Sequence, residues 1–139
     1  MKLIAKIAAM SAILLASATP CIAEETEGAM PFPSAGEFSP IERYNISDSR
    51  ARDLAKFYLR SFGVDARQAE FEQTEHPSDP AKRIILIAAS GLKDDSVQAI
   101  QLRLTMHSRA GQWSVTEAGI RRKCWRGDNT TQWQKELCP

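Results

Sequence analysis

Ile100-Gln101-Leu102-Arg103-Leu104-Thr105-Met106-His107 alternates apolar and polar residues without a break. Successive side chains of a strand point to opposite faces, so this run predicts a strand with Ile100, Leu102, Leu104 and Met106 buried and Gln101, Arg103, Thr105 and His107 facing water. Such a strand needs neighbours. Upstream, Arg83 to Ala89 contains Ile84-Ile85-Leu86-Ile87-Ala88-Ala89, apolar at both parities, which calls for a strand with both faces out of water. A weaker strand is expected over Arg67 to Gln73, with the turn-forming Pro77-Ser78-Asp79-Pro80 between the two. Downstream, a turn at Arg109-Ala110-Gly111 leads to a fourth strand. There Trp113 and Val115 share one parity while Ala118 and Ile120 share the other, and a bulge near Glu117 to Gly119 would reconcile them.

Before these strands, Ala51, Leu54, Ala55, Tyr58 and Phe62 recur at helical spacing behind a capping Ser47 or Asp48, and Gly63 stands where a left-handed C-terminal residue is expected. One apolar stripe makes this helix unstable alone, so it must lie against the sheet. The fold class that follows is α+β: one amphipathic helix packed on a four-stranded antiparallel meander. This order of elements is similar to cystatin-like and related helix-on-curved-sheet folds at the level of topology. The sequence motifs of such inhibitors are absent, so the resemblance implies a fold and no activity. One helix covers one sheet face. The other face of Ile84 to Ala89 is left for an arm bearing Phe32 and Phe38, for curvature around a pocket, or for a second subunit in a homodimer joined through this strand.

The chain has 139 residues, 43% hydrophobic and 25% charged, which fits one small domain with attachments and excludes a multidomain machine or a wholly disordered protein. Met1 to Ala23 reads as a bacterial-type secretory signal, with Lys2 and Lys6 before an apolar run, Pro20 near its end, and a cut expected after Ala23. The apolar run is short for a spanning helix and is followed by acids, so no stable membrane span is expected after cleavage. Pro20 before Cys21 also argues against a lipid anchor there. The expected compartment is periplasmic or secreted. Residues 24–46, rich in acids, glycine and proline, read as an extended or disordered arm, and 47–139 as a single domain.

Removing the signal leaves Cys124 and Cys138, which are expected to form a disulfide closing a C-terminal loop. It also turns the net charge of +1 into −1, because Lys2 and Lys6 leave with it. The charge that remains is uneven: Glu24 to Ala99 carries 9 basic and 14 acidic residues, Ile100 to Pro139 carries 7 and 3.

Searching for chemistry yields little. His76, near Asp79, and His107 lack the setting of a metal ligand or a catalytic base, Asp94 and Asp95 sit in a turn, and Glu70 and Glu72 share a solvent-facing strand face. Glycines are scattered singly, without a phosphate-cradling loop, so neither metal nor cofactor is expected. The cluster Arg121-Arg122-Lys123-Cys124-Trp125-Arg126, followed by Trp133, combines residue types that dominate binding hot spots with a disulfide. A near-neutral exported chain is a poor nucleic-acid binder, so the expected target is an acidic protein or another anionic envelope component. The functional expectation is a non-enzymatic binding protein of inhibitor, immunity or envelope-accessory type. The alternative is a small enzyme or ligand-binding protein with a pocket between helix and sheet, or a structural homodimer.

Overall fold

The computed structural model describes residues 32–139; the expected signal, 1–23, and residues 24–31 of the expected arm lie outside the described residues. Three antiparallel hairpins build most of the sheet. β3 (Ala69–His76), β4 (Asp79–Ser90), β5 (Val97–Arg109) and β6 (Gln112–Cys124) pair in chain order, with β5 in the middle, as its alternation demands. Leu102, Leu104 and Met106 are wholly buried on the face that receives the helix, together with Ile85, Ile87, Val115 and Ile120.

The sheet has six strands rather than four. β1 (Ser39–Pro40) pairs with Ile120 and Gly119, and β2 (Ser47–Asp48) with Ser114 and Trp113, both along the outer edge of β6. Two-residue strands have no period of their own to read, and the pairing is set by the register of β6. Between them the Ile41 amide donates to the Ala118 carbonyl at 3.1 Å. Residues 39–48 thus run extended beside β6. The reach of the neighbouring strands also exceeds expectation, because the β3–β4 turn is only Pro77-Ser78 and pairing resumes at His76 and Asp79. The bulge in β6 falls at Thr116, just before the predicted Glu117 to Gly119: Thr105 faces Glu117 and Met106 faces Val115, which restores one buried parity to the strand.

The helix, α1 (Ala51–Ser61), buries Leu54, Ala55, Tyr58 and Leu59. Burying each leucine stabilises the fold by about 1.5–3 kcal/mol. Two details differ from the sequence reading. Asp48 supports the helix start from outside, its carboxylate accepting from the Arg50 amide at 2.9 Å while Arg50 is the N-terminal cap residue. Leu59, not Phe62, completes the buried stripe: Phe62 lies past the last helical turn and is exposed, after which Gly63 takes φ +72°. At the margin of the core, Arg52 lies over the Phe71 ring at 4.7 Å and Arg83 over Trp113 at 5.0 Å. Tyr58 is buried, and its hydroxyl accepts from the Tyr44 amide at 2.9 Å, tying the helix to the segment before it.

The opposite face of the sheet is drier than its polar residues suggest. Gln101 and Thr105, expected in water, are buried, as are Ile84 and Leu86 on the neighbouring strand. Hydrogen bonding makes this tolerable: Gln101 accepts from Arg121 at 2.6 Å, and Thr105 contacts Arg103 and Glu117. Residues of the arm lie on this face. The Pro33 carbonyl accepts from Arg103 Nε at 3.0 Å, and Phe38 is buried against Gly119, where an added Cβ would stand 2.7 Å from the Phe38 Cβ. Phe38 and its neighbours therefore cover this face over β6 and the Arg103 end of β5.

Candidate functional site

β6 continues as a strand to Cys124, so the basic run at its end alternates between faces. Arg121 and Lys123 point away from the helix. The Arg121 guanidinium is 4.8 Å from the Phe38 ring centre and 5.5 Å from that of Trp133, and it pairs with Glu37 at 2.7 Å while binding Gln101. Lys123 Nζ lies 5.0 Å from the Trp133 ring centre. Arg121 is thereby occupied in fastening the arm and the C-terminal tail to the sheet. Glu37 matches this role: the Ser34 amide above all, then the Ser34 hydroxyl and the nearby Arg121, hold its carboxyl below the usual range against the opposing effect of burial.

Arg122 points to the helix side. Its main chain pairs with Gln134 in both directions, at 2.7 and 2.8 Å. Its side chain enters a cleft of about 830 Å³ bounded by Phe62 to Gln68 after the helix, by Gly91 to Val97 between β4 and β5, and by Ile100 and Ile120 of the sheet. Burial pushes the guanidinium below its usual pKa with no neighbouring acid acting against it, whereas Glu117 and Glu37 oppose the same effect at Arg103 and Glu37 does so at Arg121. Among the described residues the buried Arg122 Nη1 has no hydrogen-bond partner.

Trp125 and Arg126 open the disulfide loop. Cys124 and Cys138 are at disulfide distance with their Cα atoms 5.4 Å apart, and Cys124 is fully buried. Trp125 is 54% exposed, and its amide donates to the Ser96 carbonyl at 2.8 Å. Arg126 reaches Asp95 at 3.6 Å, with both side chains mostly in solvent. The residues singled out in sequence therefore occupy three places: Arg121, Lys123 and Trp133 on one sheet face, Arg122 in the cleft behind it, and Trp125 and Arg126 on the loop.

The remaining polar candidates stay apart from one another. Asp94 accepts from the amides of Ser96 and Val97 at 2.8 and 2.9 Å, and these bonds hold its carboxyl low; it shapes the β4–β5 loop, as a turn aspartate does. Glu70 and Glu72 are exposed on β3. His107 is half-buried on the face away from the helix, and His76 contacts the Ser78 hydroxyl at 3.2 Å within its hairpin turn. Among the described residues no group of three His, Cys, Asp or Glu side chains could hold a metal ion, and no helix is long and apolar enough to cross a membrane. The apolar wall of the cleft, formed by Phe62, Leu92 and Val97, escaped the sequence reading. Its one signal is apolar residues placed inside turn segments that ought to be polar. Comparison of the chain with family models, with curated proteins and with solved structures returned no match.

Proposed function

We propose that the chain is an exported, non-enzymatic binding protein that recognises an acidic protein partner through its disulfide-pinned loop, with Trp125 as the anchor and Arg126 beside it. The observation that carries this reading is Trp125 itself, a large aromatic side chain 54% exposed on a backbone tied by Cys124–Cys138 and by the Ser96 carbonyl. Presenting an indole on a constrained loop lowers the entropy lost on binding, and tryptophan and arginine dominate interface hot spots. Among the described residues the ion pair of Arg126 is with the exposed Asp95, a pair worth little in water, so an acidic partner can replace it. The basic balance of residues 100–139 favours the same partner class.

The test is cross-linked capture from envelope extract by the tagged protein, beside Trp125→Ala and Arg126→Glu. A partner held by the native chain and weakened at least about tenfold by either change, with unaltered melting temperature, supports the reading. Equal capture by all three proteins would place recognition elsewhere.

A further inference from the structure

We infer that the cleft between the end of α1, the β4–β5 loop and β6 is a second binding site, separate from the loop surface, which takes a small amphipathic monocarboxylate with its carboxylate on Arg122. The argument begins with what an arginine needs. A guanidinium carries five N–H donors and stays charged, so withdrawing it from water without an anion or acceptors is costly. Arg103 and Arg121 respect this rule. Each gives its donors to carbonyl or side-chain oxygens and feels a nearby glutamate. Arg122 is comparably withdrawn, yet among the described residues its buried Nη1 has no partner and no acid opposes the effect of burial.

The walls of the cleft are held in place before any ligand arrives. Gly63 turns the chain so that Val64 enters the core, and Asp65 then accepts from the Arg67 amide at 2.9 Å and grips the Arg67 guanidinium at 2.7 Å. Across the opening, Asp94 fixes the turn before Val97, and Trp125 anchors that loop through Ser96. A site built this way loses little entropy when it is filled.

Charge decides the class of head group. Three cations line the cleft, Arg67, Lys93 and Arg122, against two carboxylates, Asp65 and Asp94. Arg67 is consumed by Asp65 and Asp94 by backbone amides, while Lys93 is exposed at the rim. One uncommitted guanidinium remains inside, and the two fixed carboxylates disfavour a dianion. A carboxylate fits, since it offers one negative charge and two oxygens in the geometry of the arginine fork. Apolar surface decides the body of the ligand. Phe62, 39% exposed, faces the opening with Leu92 and Val97, over a floor of Ile100 and Ile120. The volume, about 830 Å³, lies within the range of small-molecule sites.

The experiment uses the oxidised full chain, isotopically labelled for amide NMR, titrated with octanoate, octan-1-ol and octyl phosphate. Octanoate is expected to give saturable shifts concentrated at 62–68 and 91–97, with the alcohol and the phosphate each at least about tenfold weaker. Arg122→Gln is expected to weaken octanoate by about tenfold or more. Leu92→Glu, which leaves Arg122 in place and alters a half-buried residue of the β4–β5 loop, is expected to do the same by setting a competing carboxylate at the opening, with its fold checked by unchanged amide shifts outside the cleft, and it keeps the test decisive if Arg122→Gln fails to fold. Octan-1-ol binding as tightly as octanoate, shifts outside the cleft, tighter binding of the phosphate, or indifference to Leu92→Glu would each overturn the inference.

Discussion

At the scale of single residues, the tightest constraint is at Gly119, where β6 passes beneath Phe38. A methyl group there would stand 2.7 Å from the Phe38 Cβ and 3.3 Å from the Ser39 carbonyl oxygen, and neither atom is the free end of a flexible chain. Gly119→Ala is therefore expected to push β1 off the edge of β6 and to cost about 1–3 kcal/mol, read as a lower denaturation midpoint. The Ile41 amide, bonded to the Ala118 carbonyl, should exchange faster in the same variant. An unchanged midpoint would mean that Phe38 is not seated against this glycine. Residue identity also explains why the basic run does not form one surface. Arg121 and Arg122 are adjacent in sequence, and adjacency in a strand means opposite faces. Had the fourth strand been extended from Ile120 to Cys124, the parity rule alone would have parted Arg121 and Lys123 from Arg122.

At the scale of elements, what could be read from sequence follows the strength of periodic signals. The alternation over Ile100 to His107 and the helical spacing from Ala51 to Tyr58 both rest on several repeats, and β5 and α1 lie where those signals put them. β1 and β2 offer no repeat, because each is two residues long and paired by what lies across from it. The cleft was hidden for a related reason: its lining comes from the ends of elements, where no pattern runs long enough to assign a face. One of those ends makes a pH prediction. Arg67 holds the Asp65 carboxyl down to about 2 from its ordinary 3.8, chiefly by side-chain hydrogen bonds, with the Arg67 amide adding to the effect. Because the folded value is the lower one, this contribution is full above the ordinary value and is lost as pH falls toward about 2. The melting-temperature gap between the native chain and Asp65→Asn should therefore narrow from pH 4 to pH 2, as followed by circular dichroism. A gap that stayed constant through that window would show that the carboxylate charge is not what supports the turn.

At the scale of the whole molecule, the sheet is sealed unevenly. The outer edge of β6 is occupied by β1, Ile41, β2 and, near its end, Gln134, whereas among the described residues nothing pairs with the outer edge of β3. Glu70, Glu72 and Glu75 line β3, and repeated negative charge disfavours edge-to-edge association of copies there. The Cys124–Cys138 link, with a separation of 14, belongs to the same scale, since it restrains the tail that brings Trp133 and Gln134 to β6. Reducing it is expected to remove about 3 kcal/mol of stability in the chain-entropy model, measured by urea unfolding with and without reductant, while circular dichroism still reports the sheet. Stability unaffected by reductant would mean that the tail is held by its other contacts alone. The edge of β6 also sets an order of events. β3 to β6 are joined by hairpins and can zip up locally, but residues 39–48 and α1 dock on a surface that does not exist until β6 has been made. As the chain is made, residues 32–61 must wait undocked while the strands behind them assemble, so among the described residues the part that appears earliest is the one that finds its place last.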